Sequence, residues 1–169
     1  MMIDPELFLE FLKGRRSIRN FQSKPLSDKD IDMILEAGRW TPSASNVQPW
    51  EFIVIKNRDI LKQISKTGIY GGPLRKAPMG IAIVGKKQEN PNWYIQDTSL
   101  ASMNMMLMAW TLNIGMCWMG SMDREFAKEL LGLGKDDFLL TILATGYIRG
   151  QIPKPSLRKS LDEIKREII

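Results

Sequence analysis

Arg15, Arg16, Ser17 and Arg19 follow an apolar helical stripe near the start of the chain. Three guanidiniums and a hydroxyl within five positions suit a phosphate. Arginine offers a planar fork of donors and stays charged, and serine adds a short neutral donor. If the segment is extended, Arg15, Ser17 and Arg19 project to one side, because side chains alternate along extended backbone. A solvated basic loop is the other reading. Near the C-terminus, Lys154, Arg158 and Lys159 either supply a second clamp on the same phosphate or form a solvated charge run.

Two further groups suit a flat, polar-edged ligand. Pro42, Ser43, Ala44, Ser45, Asn46, Val47, Gln48, Pro49 and Trp50 place small hydroxyls and amides between prolines. Such a stiff loop can read the edge of a heterocycle without bringing charge, or it can be a simple helix-to-strand turn. Trp118, Met119 and Gly120, together with Gly146, end two apolar runs. Glycine permits close backbone approach to a ring, and backbone N–H groups can donate to a ring nitrogen. Ordinary strand ends would carry the same residues.

Composition limits what these groups can do. The 169 residues include no histidine and one cysteine. This removes Ser-His-Asp and Cys-His catalysis, the HExxH zinc site, any intramolecular disulfide and multi-cysteine metal centres. Redox chemistry here would rest on a bound cofactor. The net charge of +5 favours anionic partners. The basic residues are nevertheless scattered apart from Arg15–Arg19 and the tail, and no zinc finger, RNP-like run or basic zipper is present. The expectation is a partner other than nucleic acid.

The elements that must position these residues are legible from caps and periodicity. Asp4 and Pro5 start a helix with a stripe of Leu7, Phe8, Phe11 and Leu12, which Gly14 ends. Ser27 with Asp30 starts a second helix that buries Ile31, Ile34, Leu35 and Gly38 and stops before Pro42. Trp50–Ile55 reads as a strand and Arg58 to Lys66 as a short helix. The run GIYGGPLRKAP reads as an irregular connection, mobile or ligand-facing. Met79–Val84 is a strand, and Asp97–Asn113 a central helix apolar almost all round. Its Asp97 and Asn104 read as satisfied structural polar groups, and its methionines as core or subunit interface. Met116–Met119 is a strand in which Cys117 is an inert hydrophobe. Asp123 caps a helix, Phe138–Ile148 is a long strand, and a charged helix starts near Ser160. One domain over residues 1–169 follows, with a mixed sheet flanked by helices. Leu100 to Met119 is too polar for a membrane span, and the N-terminus carries acids before its basic residues, unlike a signal peptide. A cytoplasmic protein is expected.

The motifs RRSIRNF, TPSASNVQPWEFIVI, QDTSLASMNMMLMAWTLNIGMCWMG, LATGYI and PSLRKSLDEI, in this order, resemble the nitroreductase family of FMN-dependent oxidoreductases. The resemblance implies an α+β sandwich with a mostly antiparallel sheet, and a homodimer with FMN at the subunit interface. It implies that Arg15, Ser17 and Arg158 hold the phosphate, with Arg16 adjoining. Arg19 would stand at the pyrimidine edge and stabilise negative charge on the flavin. Pro42, Ser43, Ala44, Ser45 and Asn46 would come from the opposite subunit, with Gln48 in the same motif. Trp118, Met119 and Gly120 would approach the ring. The implied activity is ping-pong hydride transfer from NADH or NADPH to nitroaromatic, quinone or similar small-molecule acceptors. An FMN-storage module and a basic nucleic-acid-binding domain are the alternatives. The chain is short beside larger members, whose extra helices cover the substrate pocket.

Overall fold

A computed structural model describes residues 3–168. Helix α1 (Pro5–Gly14) starts where the Asp4 carboxylate accepts the Leu7 N–H at 2.9 Å. Helix α2 (Asp28–Arg39) starts on the Ser27 hydroxyl, which accepts the Asp30 N–H at 3.1 Å. Strand β1 (Trp50–Ile55), helix α3 (Arg58–Ser65), helix α4 (Gly72–Lys76) and strand β2 (Met79–Lys86) follow. Helix α5 (Tyr94–Thr111) leads to strand β3 (Ile114–Met119). Helix α6 (Arg124–Leu130), capped by Asp123, leads to strand β4 (Asp137–Tyr147). Helix α7 (Leu161–Ile164) closes the described chain.

The four strands form one sheet in the order β1-β2-β4-β3, and its three ladders are antiparallel. A parallel pairing occurs at the isolated bridge between Ser17 and Met116. Strand β2 has helices over both faces, so it is buried almost throughout and reads as a continuous apolar run. Its Met79, Ile81 and Ile83 face Ile31 and Ile34 of α2 and Met105, Met106 and Ala109 of α5. Its Ala82 and Val84 face the other way, toward Leu61 and Ile64 of α3, Leu74 of α4 and Ala127 of α6. A register shift at Ile83/Val84 reverses the facing along β4, so Leu139 shares one core with Ile142 and Ala144 while Leu140 shares the other with Leu143. The result is the expected α+β sandwich.

Several expectations are corrected. The run after Gly68 is not wholly irregular, because Pro73 in a first helical turn starts α4. The preceding turn is tied down: Gly71 N–H donates to Gly68 O at 3.2 Å, and Asp123 N–H donates to the Thr67 hydroxyl at 3.0 Å. Helix α5 starts at Tyr94, three residues before the expected Asp97, and leaves Ile95, Leu100 and Met103 exposed. The last helix is a single turn, though Ser160 and Glu163 form its full capping box. The stripe on α1 lies largely on solvent, with Leu7 71% exposed, because nothing among the described residues covers it.

An acid-sensitive tie joins the sheet to the turn before β4. Lys86 bridges Glu51 at 2.5 Å and Asp137 at 3.0 Å. Burial raises the Asp137 carboxyl, but hydrogen bonds from Lys86 and the Gly134 N–H, with the charges of Lys86 and Lys128, outweigh it and hold the group low. A carboxyl held low adds stability that is present above its unfolded value, about pH 4, and is lost as pH falls through the folded value. Asp137→Asn should therefore flatten the acid limb of the stability profile. Urea midpoints should fall less between about pH 6 and about pH 3 in the variant than in the parent. An equal fall in both would exclude Asp137 as the sensitive group.

Candidate functional site

After Gly14 the chain leaves α1 in extended conformation at Arg15. It then runs beside the outer edge of β3. Ser17 bridges to Met116, Ile18 N–H donates to Met116 O at 3.0 Å, and Gln22 N–H donates to Tyr147 O at 2.9 Å. Ile18 and Phe21 turn into the core and anchor the segment. This docking carries the arginines to the sheet edge.

Arg15 and Arg16 part company there. Arg16 donates through Nη1 to Lys13 O at 2.5 Å and Arg15 O at 2.8 Å, and through Nε to Pro153 O at 3.2 Å. It thus closes the end of α1 and fastens the C-terminal tail to it. Arg15 is half-buried, and its Nη1 is fully buried without a hydrogen-bond partner. Burial pushes its pKa down, and the neighbouring charges of Arg16 and Arg158 push it further the same way. A half-buried guanidinium with two cationic neighbours and a buried nitrogen lacking an acceptor among the described residues suits an anion. It lines a cleft of about 710 Å³ with Lys13, Arg16, Ser156 and Arg158. Arg158 therefore joins Arg15, whereas Lys154 and Lys159 are exposed and do not line this cleft. Arg19 is exposed beside β3, its Nη1 3.4 Å from Ser17 O, and its charge reaches Cys117. Burial pushes the Cys117 thiol up, against that charge, in keeping with an inert side chain.

The loop from Pro42 to Gln48 is ordered by its own bonds and by α5. Ser43 Oγ accepts the Gln48 N–H at 2.9 Å, Ser43 O accepts the Asn46 N–H at 2.9 Å, and Gln48 Nε2 donates to Asn46 O at 3.2 Å. Asp97, buried on α5, accepts the Ala44 N–H at 3.2 Å and the Asn90 amide at 3.4 Å. Asn104 donates to the Thr41 hydroxyl at 2.8 Å. Both α5 polar groups are thus structural, and both hold this loop. Ser45, Asn46 and Gln48 have φ of 52°, 55° and 57°. Left-handed backbone at three non-glycine residues is a strained arrangement, and such strain concentrates at ligand sites. The sequence carried no sign of it beyond the residue types.

The third group divides. Trp118 and Gly120 are exposed, and open space lies where a Gly120 side chain would be. Met119 points inward, and its N–H and C=O are both engaged by the Thr141 hydroxyl, at 3.1 and 3.0 Å. Gly146 has a packing role. A Cβ there would lie 2.5 Å from Pro78 Cδ, so the glycine lets the chain before β2 pack against β4.

One chain does not bring all these groups together. The Pro42–Gln48 loop feeds β1 at one edge of the sheet, level with Gly85 and Phe138. The Arg15–Arg19 segment lies outside β3 at the other edge, level with Thr145. Three strand spacings, about 14 Å, separate the two edge strands.

An antiparallel sheet between two helical layers, a basic cleft at one edge and a distant polar loop define this α+β fold. The Nitroreductase family profile matches residues 12–69 and 65–147. The Archaeoglobus fulgidus protein named "Putative NADH dehydrogenase/NAD(P)H nitroreductase" is 36% identical over 82% of this chain and 84% of its own. A crystal structure of that name from Parabacteroides distasonis superposes with a TM-score of 0.88 at 26% identity, over 95% of this chain and 97% of that one. A Desulfovibrio desulfuricans structure described as "a putative nitroreductase in complex with fmn" is 30% identical over 98% of both chains, with a TM-score of 0.85. This chain belongs to the nitroreductase family.

Proposed function

We propose that the protein is an FMN-dependent NAD(P)H oxidoreductase acting as a homodimer, with one FMN-binding unit formed over residues 1–169. The observation that carries this reading is Arg15, which lines the cleft shared with Arg158 and whose buried Nη1 has no hydrogen-bond partner among the described residues. A phosphate monoester fits that place, since its oxygens accept guanidinium forks in pairs. The Desulfovibrio relative with FMN and the relatives named NAD(P)H nitroreductases support the choice of cofactor and donor.

In this reading Arg15 and Arg158 hold the phosphate, Ser17 adds a neutral donor, and Arg16 keeps the tail in place so that Arg158 faces Arg15. Arg19 holds positive charge near the pyrimidine edge, where negative charge on the ring is stabilised. Trp118 and Gly120 border the ring, and the inward Met119 keeps that strand end rigid. Pro42, Ser43, Ala44, Ser45, Asn46 and Gln48 reach the site from the second subunit, because their own subunit carries its arginines at the opposite sheet edge. The exposed Leu7, Phe8, Leu9 and Leu12 of α1 form an apolar face suited to that second subunit.

When bound, FMN supplies hydride transfer from NADH or NADPH to a nitroaromatic, quinone or similar acceptor, in ping-pong order. No helix among the described residues is long and apolar enough to cross a membrane. The lone, buried Cys117 suits a reducing, cytoplasmic setting.

The purified protein should be yellow, bleach anaerobically with NADH or NADPH, and regain colour with a quinone. A colourless protein that ignores added FMN would reject the reading, and retained flavin without nicotinamide oxidation would make it an FMN-storage protein. Arg158→Ala should weaken FMN binding about tenfold, near 1–3 kcal/mol for a charge-assisted contact, with its thermal melt unchanged. Fluorescence titration of the apoprotein with FMN reads this directly, and an unaltered affinity would remove Arg158 from the clamp.

A further inference from the structure

A second basic cleft lies apart from the one holding Arg15. Its volume is about 600 Å³, and Asn20, Phe21, Ser23, Arg58, Arg75, Lys76, Arg149 and Gly150 line it. Four elements converge there: the segment after Arg19, the start of α3, the end of α4 and the exit from β4. They are tied to one another. Lys76 Nζ donates to Asn20 Oδ1 at 3.0 Å, Arg58 Nη2 donates to Arg75 O at 3.3 Å, and Arg149 N–H donates to Asn20 O at 3.2 Å.

Four cations therefore face one concavity, and its lining contains no carboxylate. None of the four joins an ion pair among the described residues. Protein surfaces ordinarily intersperse charges of both signs, and a concave cluster of one sign focuses its field on a counter-ion. Placing Arg75 and Lys76 in the last turn of α4 favours that helix, but it accounts for neither Arg58 nor Arg149. The cleft has the size of a small-molecule site, and Phe21 is buried, so no exposed aromatic is present for base stacking along a strand.

We propose that this cleft binds the diphosphate group of a small ligand, with Arg75 and Arg149 as its two forks and Arg58 and Lys76 as flanking charges. Inorganic pyrophosphate and a nucleoside diphosphate carry the same group and are the two sources to separate. The proposal is independent of the flavin reading, since the cleft with Arg15 and Arg158 is lined by other residues.

Calorimetric titration of the FMN-saturated protein with pyrophosphate, and separately with ADP, tests it at low ionic strength. Should the protein take up no FMN, the Arg15→Ala variant serves as the background, which keeps the two readings apart. Binding of one diphosphate per chain is expected, weakening as salt is added. The paired change Arg75→Ala and Arg149→Ala should weaken it at least about tenfold. Removing the same charge elsewhere, with Lys66→Ala and Lys87→Ala, should leave it within about twofold. Tighter binding of ADP than of pyrophosphate identifies a nucleotide, and equal binding identifies the phosphoryl groups alone. No heat with either probe, or equal weakening by both pairs of substitutions, overturns the proposal.

Discussion

Arg15→Ala should strip the protein of FMN while leaving the fold intact. Arg15 ends in a buried nitrogen that has no acceptor among the described residues, and burial, Arg16 and Arg158 all disfavour its charge. Without a bound anion the guanidinium is a cost to the folded state; with one it becomes a buried charge-assisted contact. Loss of a two-pronged contact of this kind is worth about 3 kcal/mol, or about a hundredfold in affinity. The two effects have opposite signs on stability. Apo Arg15→Ala should melt at or above the apo parent, because an unpaired buried cation has gone. The FMN-supplemented parent should melt well above the variant, because ligand binding to the native state stabilises it. Thermal melts with and without FMN check both halves. A variant destabilised in the apo state would show that Arg15 supports the fold instead of waiting for a ligand.

Gly115→Ala should damage fold and site together. A Cβ at Gly115 would stand 2.5 Å from Cβ and 2.6 Å from Cγ2 of Ile18. Ile18 is 2% exposed and branched at Cβ, so it has few rotamers to retreat into. The added methyl must push the 15–22 segment away from β3, straining the Ser17–Met116 bridge and the Ile18–Met116 bond. Overpacking of this sort costs about 1–3 kcal/mol. The displacement should also misplace Arg15 and Arg19, so FMN affinity should fall although no cofactor contact is removed. Combining it with Ile18→Ala provides the control. The pair should be less destabilised than the sum of its single changes, because the two methyl groups compete for one space. Urea midpoints for the three variants measure the coupling. Strict additivity would show that Gly115 and Ile18 do not limit each other.

Much of the fold was written in local signals. Asp4, Ser27, Asp123 and Ser160 cap helices where their side-chain oxygens accept backbone N–H groups two or three positions inside. Trp50–Ile55 is the strand its residue types suggest. These features depend on neighbours within a few residues, so sequence order shows them. The α4 turn was hidden inside a glycine-rich run, where flexible residues mask the helix that Pro73 starts. The exposure of α1 was hidden as well. Its stripe predicts burial but does not say which surface buries it, and the described residues offer none.

The same division runs through the site. Residue types alone left Arg15, Ser17 and Arg158 open between phosphate ligands and solvated charge, the family resemblance implied the phosphate, and the Pro42–Gln48 run read as a polar loop or a helix-to-strand turn. They did not separate Arg16, whose guanidinium is spent on backbone carbonyls, from Arg15, whose guanidinium is left free. They did not turn Met119 inward between the exposed Trp118 and Gly120. Nor did they reveal Arg58, Arg75, Lys76 and Arg149 as one cluster, since these come from three separated stretches of chain.

The sequence by itself determined the kinds of chemistry open to this protein. With no histidine and one cysteine it has no imidazole base and no multi-cysteine metal site, and its arginines and amides are binding groups. Only the tertiary structure decided which of those groups meet. Strand order places the arginine segment beside β3 and the polar loop before β1, at opposite edges and at different levels of the sheet. Chain order carries no such distance. It arises because antiparallel pairing and two buried sheet faces fix where each segment must lie.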